Sequence, residues 1–150
     1  MAKEKYALHF ITRDKPGLKL PGFRSPLAGQ QATRMAVLDG EVLPAADFHA
    51  EVVWFWPGGK AKSGPARAQA SIEKAHSHPF DEMVSFVGSD PADIHNLCGE
   101  IEIWIDAEKQ VIDKSFMAYI PAGVVHGPIK INRIDKPIFH YSAGAGKKYE

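Results

Sequence analysis

The chain has 150 residues, enough for one domain with a sizeable buried core and no need of cross-links. Its 18 basic and 18 acidic residues cancel, so the positive footprint of a nucleic-acid binder is missing, and no apolar run approaches the roughly 20 residues of a membrane helix. Cys98 is the one cysteine, which excludes an intrachain disulfide and fits a reducing compartment.

The amino terminus, Met1-Ala2-Lys3-Glu4-Lys5, is charged and lacks the apolar run of a secretion signal, so a soluble, cytoplasmic protein is expected. Residues 1 to 47 read as an arm without a core of its own, lying across the main domain or a partner subunit. Within it, Tyr6 to Thr12 reads as an outlying strand and Gln30 to Leu38 as a short helix. Between them, Asp14-Lys15-Pro16-Gly17 and Leu20-Pro21-Gly22 have turn chemistry.

The main domain, residues 48 to 150, opens at Phe48 to Trp56, a β-branched and aromatic run that stops at Pro57-Gly58-Gly59. Its alternation puts His49, Glu51 and Val53 on one face and Trp54 and Trp56 on the other, without telling which face points inward. After a polar loop at 60 to 66, strands are expected at about 67 to 77, 82 to 87, 100 to 106, 115 to 120 and 136 to 142. Alternation is clearest in Glu100-Ile101-Glu102-Ile103-Trp104-Ile105-Asp106, where the isoleucines share one face and the acids the other. Ser89 to Gly99 reads as an insertion with a short helical turn: Asp90 as N-cap, Pro91 at the first helical position, Gly99 beyond the end. His95 and Cys98 within it make only half of a metal site and carry no assignment. Many short strands and little helix point to an all-β antiparallel sandwich or barrel.

Two histidine phrases carry most of the chemistry: His76-Ser77-His78-Pro79-Phe80-Asp81-Glu82 and Pro121-Ala122-Gly123-Val124-Val125-His126. Together they offer three imidazoles and one carboxylate, a donor set suited to a divalent transition metal. In an extended strand His76 and His78 share a face, roughly 6.6 Å apart between Cα atoms. Glu82 would lie about 13 Å beyond His78 if the strand ran on. The chain therefore has to bend, and Pro79 is the residue that ends the first strand.

The pattern H-x-H-x3-E followed by P-x-G-x2-H resembles the two motifs of the cupin superfamily, over about residues 48 to 142. That resemblance implies a small antiparallel β-barrel, the double-stranded β-helix, or jelly-roll-like barrel, here with an N-terminal arm. It also implies a single metal held by His76, His78, Glu82 and His126. Four positions depart from the family pattern: Ala70 and Ser115 stand where Gly is usual, Gly88 comes one residue early, and Lys130 replaces an Asn. None of them removes a ligand. The ligand set suits Fe, Mn, Ni, Co, Cu or Zn, one ion per chain, and does not choose among them.

The aromatic residues Phe80, Phe86, Trp54, Trp56, Phe116, Tyr119, Phe139 and Tyr141 either fill the barrel or together line a pocket for a flat apolar substrate. Two of the non-ligand residues are candidates for catalysis. His140, in an apolar strand near the expected pocket, suits a general acid or base, and Tyr119, two residues before Pro121, suits donation to a substrate oxygen. His49 and Glu51 have the same status as His140, while Asp81 reads as a corner residue.

The favoured function is a metal-dependent enzyme acting on a small oxygen-bearing molecule, most specifically a mononuclear-metal dioxygenase. Decarboxylase, isomerase and lyase activities remain alternatives, as does a non-catalytic protein that binds a small ligand. The expected partner is that small-molecule substrate, with no nucleic acid and no membrane. The neutral balance of charge also favours self-association into a homodimer.

Overall fold

The computed structural model describes residues 5–19, 32–57 and 70–148. Among the described residues, nine strands make two antiparallel sheets. β1 (Ala32–Leu38), β2 (His49–Phe55), β9 (Ile138–Gly144), β4 (Glu82–Gly88) and β7 (Phe116–Ile120) form a five-stranded sheet in the spatial order β1-β2-β9-β4-β7. β3 (Ala70–Glu73), β8 (His126–Ile134), β5 (Asn96–Ile105) and β6 (Glu108–Lys114) form a four-stranded one, in the order β3-β8-β5-β6. The two inner faces share one core, built on Val53, Phe55, Val84 and Phe86 from the first sheet and Ile101, Ile103, Ile129 and Ile131 from the second. The all-β expectation holds. Among the described residues, no helix is long and apolar enough to cross a membrane.

The alternating isoleucines behave as their spacing requires. Ile101 and Ile103 are fully buried, and Ile105 at the strand end is half-buried. The bend after His78 is present, with Pro79 and Phe80 forming it and β4 starting at Glu82, but the strand expected to run up to it stops at Glu73, and beyond it His76 makes only an isolated bridge to His126.

Three local expectations are corrected. Ala32–Leu38 is a strand and not a helix, because the edge of β2 supplies a ladder partner from Ala32 opposite Phe55 to Leu38 opposite Ala50; residues 30 and 31 lie outside the described residues. Tyr6 to Thr12 is not a strand. It holds one 3-10 turn, Ala7–His9, and residues 5–10 are exposed. The insertion forms turns instead of a helix: the Asp90 carboxylate accepts from the amide of Ala92, and that of Asp93 from the amide of His95. Such side-chain bonds compete with helix formation. β5 begins within the same segment, at Asn96. β6 and β8 are additional strands that the periodicity did not announce.

Register decides what the five-stranded sheet shows to each side. Rows run across β2, β9 and β4: His49, Gly144 and Glu82 form one, Glu51, Ser142 and Val84 the next, then Val53, His140 and Phe86. All of these face inward, and all nine are buried. The alternate residues, including Trp54, Phe139, Tyr141 and Met83, face outward.

Candidate metal centre

His76, His78, Glu82 and His126 come together at the end of the sandwich where β4 and β8 begin. One donor atom from each lies within 4.8 Å of the others. Glu82 Oε2 is 3.1 Å from His78 Nε2 and 3.2 Å from His126 Nε2. His76 and His126 are held opposite each other by a pair of backbone bonds, His76 N–H to His126 O at 2.9 Å and the reverse at 2.8 Å. Gly127 makes this approach possible: its φ is +91°, and a Cβ there would stand 2.7 Å from the Lys74 carbonyl oxygen.

Two of the rings are oriented by the main chain. His76 donates Nδ1–H to Lys74 O at 2.7 Å, and His126 donates Nδ1–H to Val124 O at 2.9 Å. This fixes the tautomer that presents Nε2 to the cluster. In that form the Nε2 lone pair of His126 faces a carboxylate oxygen, an arrangement that repels unless a proton or a cation lies between. The donor set and its orientation therefore fit a divalent ion, which His76, His78, Glu82 and His126 would hold.

The charges respond to this crowding. Burial pushes the Glu82 carboxyl up, but hydrogen bonds and charge from His126 and His78 outweigh it and hold the group down at about 2. Burial lowers His76, and with the neighbouring His126 and His78 takes it to about 4, so it is neutral and ready to ligate at pH 7. Burial also works to lower His126, but its contact with Glu82 raises it above the usual value.

Asp81 ties the two phrases together. Its carboxylate accepts from the Ala122 amide at 2.8 Å and from the Tyr119 hydroxyl, which joins the corner of the first phrase to the turn of the second. Tyr119 itself does not reach the cluster. It lies on the outward side of β7, 64% exposed, so the structure does not bring this candidate to the site. His140 is on the inner face and buried; it donates Nδ1–H to Ser85 O at 2.9 Å and stands 3.9 Å from Glu51, but two rows away from Glu82.

His49 is better placed. It occupies the same row as Glu82, donates Nδ1–H to Gly146 O at 2.8 Å, and packs edge-on against Phe80, which in turn stacks on His78 at 4.8 Å. Burial lowers its pKa, while the nearby Glu82 works to raise it. A cavity of about 320 Å³ opens on the other side of His49, lined also by Glu51, Val37, Asp39, Lys15 and Leu18. None of the four metal-site donors lines it; His49 borders both spaces.

Sequence reasoning missed Glu73. It is buried at the end of β3, 3.9 Å from His76 Nε2, as a second carboxylate beside the donor set. Only its spacing of three before His76 marked it. Of the aromatic residues expected either to fill the barrel or to line a pocket, Phe86 and Phe116 pack in the interior and Phe80 stacks on His78, while Trp54, Trp56, Phe139, Tyr141 and Tyr119 lie on the outer face and do neither.

No protein-family model matches the chain, and neither does any curated protein. Among solved structures, recombinant oxalate oxidase in complex with glycolate superposes with a TM-score of 0.51 at 16% identity, over 94% of this chain and 61% of that one. The chain thus spans about three fifths of the oxalate oxidase it matches. Peruvianin-I, a cysteine peptidase from Thevetia peruviana latex, gives 0.52 at 13% identity, over 83% of this chain and 68% of its own. A cupin protein from Bacteroides fragilis gives 0.44 at 16%, covering 87% and 92%.

Proposed function

On the cupin fold that this chain shares with those structures, we propose a metal-dependent enzyme acting on a small oxygen-bearing molecule, with mononuclear-metal dioxygenase chemistry as the specific reading. The observation that carries it is the buried convergence of His76, His78, Glu82 and His126, with Nε2 of His76 and His126 turned inward by backbone carbonyls. These four residues would hold a divalent ion, which when bound would supply Lewis-acid polarisation of a substrate oxygen and, if redox-active, electrons for dioxygen. The protein's own groups provide the rest. His49 stands at the level of the ligands, Glu73 lies 3.9 Å from His76 Nε2 on the other sheet, and Glu51 and His140 continue a polar line behind His49.

This lining favours a small polar substrate, such as a 1,3-dicarbonyl compound or a hydroxy acid, over a flat aromatic one. The cavity beside His49 is at the lower end of the roughly 300–1,000 Å³ of small-molecule sites, in keeping with that size. Decarboxylase, isomerase or lyase chemistry, or ligand binding without turnover, would use the same donors.

Metal analysis of protein purified without added metal tests the site, and oxygen uptake with a panel of dicarbonyl and hydroxy-acid compounds tests the reaction. One ion per chain is expected, lost in His78→Ala and in His126→Ala while the far-ultraviolet circular dichroism stays that of a β protein. Full occupancy in both variants would refute the metal centre. Metal without oxygen uptake on any compound would remove the dioxygenase reading and leave the non-oxidative ones.

A further inference from the structure

Neighbouring residues of a strand point to opposite faces, so one of any adjacent pair normally leaves the interior. β3 breaks that rule, since Ile72 and Glu73 are both buried. The register shows how. Ser71 stands opposite Lys130 and Glu73 opposite Ile129, so two residues of β3 answer a single step of β8. Such a bulge re-aims a side chain, and here it turns Glu73 to the inward side that it shares with the buried Ile129. In an unbroken register Ile72 would take that place and Glu73 would point outward.

The carboxylate so turned in meets the metal donors. Its Oε2 lies 3.9 Å from His76 Nε2. This is not the usual support of a ligand histidine from behind the ring, because His76 gives its Nδ1–H to Lys74 O and faces Glu73 with the nitrogen that ligates. Two donors of one ion, each about 2.1 Å from it, stand at most about 4.2 Å apart, and this pair falls within that reach. His126 senses the same group: burial works to lower its pKa and the contact with Glu82 to raise it, and the charge of Glu73 adds to the raising.

We propose that Glu73 is a second carboxylate of the metal centre, which with Glu82 balances both charges of a divalent ion and so makes the occupied site accept uncharged oxygen-bearing molecules and exclude small anions. The inference rests on the metal centre proposed above and narrows its substrate class. Imidazoles ligate in their neutral form, so His76, His78, His126 and Glu82 alone would leave a divalent ion one positive charge, an attraction for any carboxylate substrate. With Glu73 the sum is zero, and an anion entering the site also approaches a buried negative charge, where little water screens it. Of the two compound classes considered, the 1,3-dicarbonyl arrives uncharged and the hydroxy acid as an anion, so the first is favoured.

Co(II) alone, and then glycolamide and glycolate, which differ in little but charge, are the probes; the visible spectrum of the Co(II)-loaded full chain reads all three. In the parent, glycolate is expected to bind no more tightly than glycolamide. Glu73→Gln keeps the size of the side chain and removes its charge. It is expected to raise the Co(II) dissociation constant by about 10–100-fold and to let glycolate bind about 10-fold or more tighter than glycolamide. Glu73→Asp keeps the charge and is expected to keep the parent's order of the two ligands, while Glu108→Gln, which removes an exposed carboxylate of the same sheet, is expected to change neither reading. Melting curves of the metal-free proteins establish that the variants fold. A Glu73 that serves the fold alone predicts a lower melting temperature in Glu73→Gln with the parent's Co(II) affinity and ligand order, and that result would overturn the proposal. So would a parent that binds glycolate about 10-fold tighter than glycolamide, a reading that needs no variant. A parent that takes up no Co(II) would refute the metal centre itself, whereas equal Co(II) uptake by parent and Glu73→Gln would remove only Glu73.

Discussion

Gly144→Ala tests whether His49 is held where the structure puts it. A Cβ at residue 144 would stand 2.5 Å from His49 Cε1, 2.7 Å from His49 Nε2 and 2.8 Å from Phe80 Cε2. Ordinary carbon contacts begin near 3.5 Å, so both rings have to retreat by about 1 Å. His49 cannot do so freely, because its Nδ1–H is bonded to Gly146 O at 2.8 Å. Overpacking of this kind costs about 1–3 kcal/mol, and weakening that hydrogen bond falls within the same range. With about 2 kcal/mol lost, the melting temperature of a 150-residue domain falls by roughly 4–8 °C. The sharper measurement is a double-mutant cycle with His49→Ala. Removing the ring gives the new methyl group its space, leaving only the Phe80 contact, so Gly144→Ala should cost about 1 kcal/mol less in that background. Metal affinity is a second readout: Phe80 stacks on His78, and disturbing an outer support of a ligand costs about 10-fold or more. An equal cost of Gly144→Ala in both backgrounds would refute the reasoning, since the methyl group would then not be meeting His49.

Three further outcomes are expected. His140→Ala should lower turnover per bound metal by about 10²-fold with metal content intact; unchanged normalised turnover would leave His49 as the interior acid–base group. Gly127→Ala should destabilise by about 3 kcal/mol in a thermal melt and reduce metal content, because a methyl group at φ +91° both strains the backbone and strikes the Lys74 carbonyl beneath the His76–His126 pair. The last concerns pH. Lys15 Nζ lies 2.8 Å from Asp39. Burial raises the Asp39 carboxyl, but hydrogen bonds from Lys15 and two backbone amides outweigh it and hold it below 3.8. Burial lowers the Lys15 ammonium, and its two carboxylate partners outweigh that and hold it above 10.5. A depressed carboxyl contributes stability above its unfolded value and loses it as pH falls through the folded one; a raised ammonium loses its share as pH rises through its folded value. The melting-temperature gap between the parent and Lys15→Met should therefore be flat from about pH 5 to 9 and close below 3.8 and above 10.5. Because Glu41, the second partner of Lys15, is held at about 2, a gap as wide at pH 2 as at pH 7 would rule out the ion pairs as its source.

The metal donors were legible because chain geometry acts over short distances. The pair two residues apart does converge, although from the irregular segment past the end of β3 at Glu73 and not from a strand, and the corner at Pro79 and Phe80 brings Glu82 back. The strand at 32–38 was not legible, since its identity comes from the β2 edge and not from its own residues. β6 gave no signal because it is an edge strand exposed along most of its length, so no alternation of buried and solvated positions marks its sequence. β8 was obscured by Gly127 and Pro128, which read as breakers. Most instructive is β2. Alternation separated His49, Glu51 and Val53 from Ala50, Val52 and Trp54, but hydrophobicity alone would bury the tryptophan face. The fold buries the histidine and the glutamate.

That inversion links the site to the surface. The rows across β2, β9 and β4 are about 6.6 Å apart. His49 stands level with Glu82, Glu51 one row deeper and His140 two rows deeper, about 13 Å along the strands from the ligand level. A small molecule held at the cluster does not span that distance. The expected loss in His140→Ala therefore requires a route through Glu51, 3.9 Å from its ring, and then through His49. Such a line requires polar side chains at inward positions of successive rows on β2 and β9. On a strand every residue given to the interior fixes the side of its neighbours, so the apolar residues these strands still need for sheet formation fall on the outward positions. The same alternation that builds a polar wall inside the sandwich leaves Trp54, Phe139 and Tyr141 outside it.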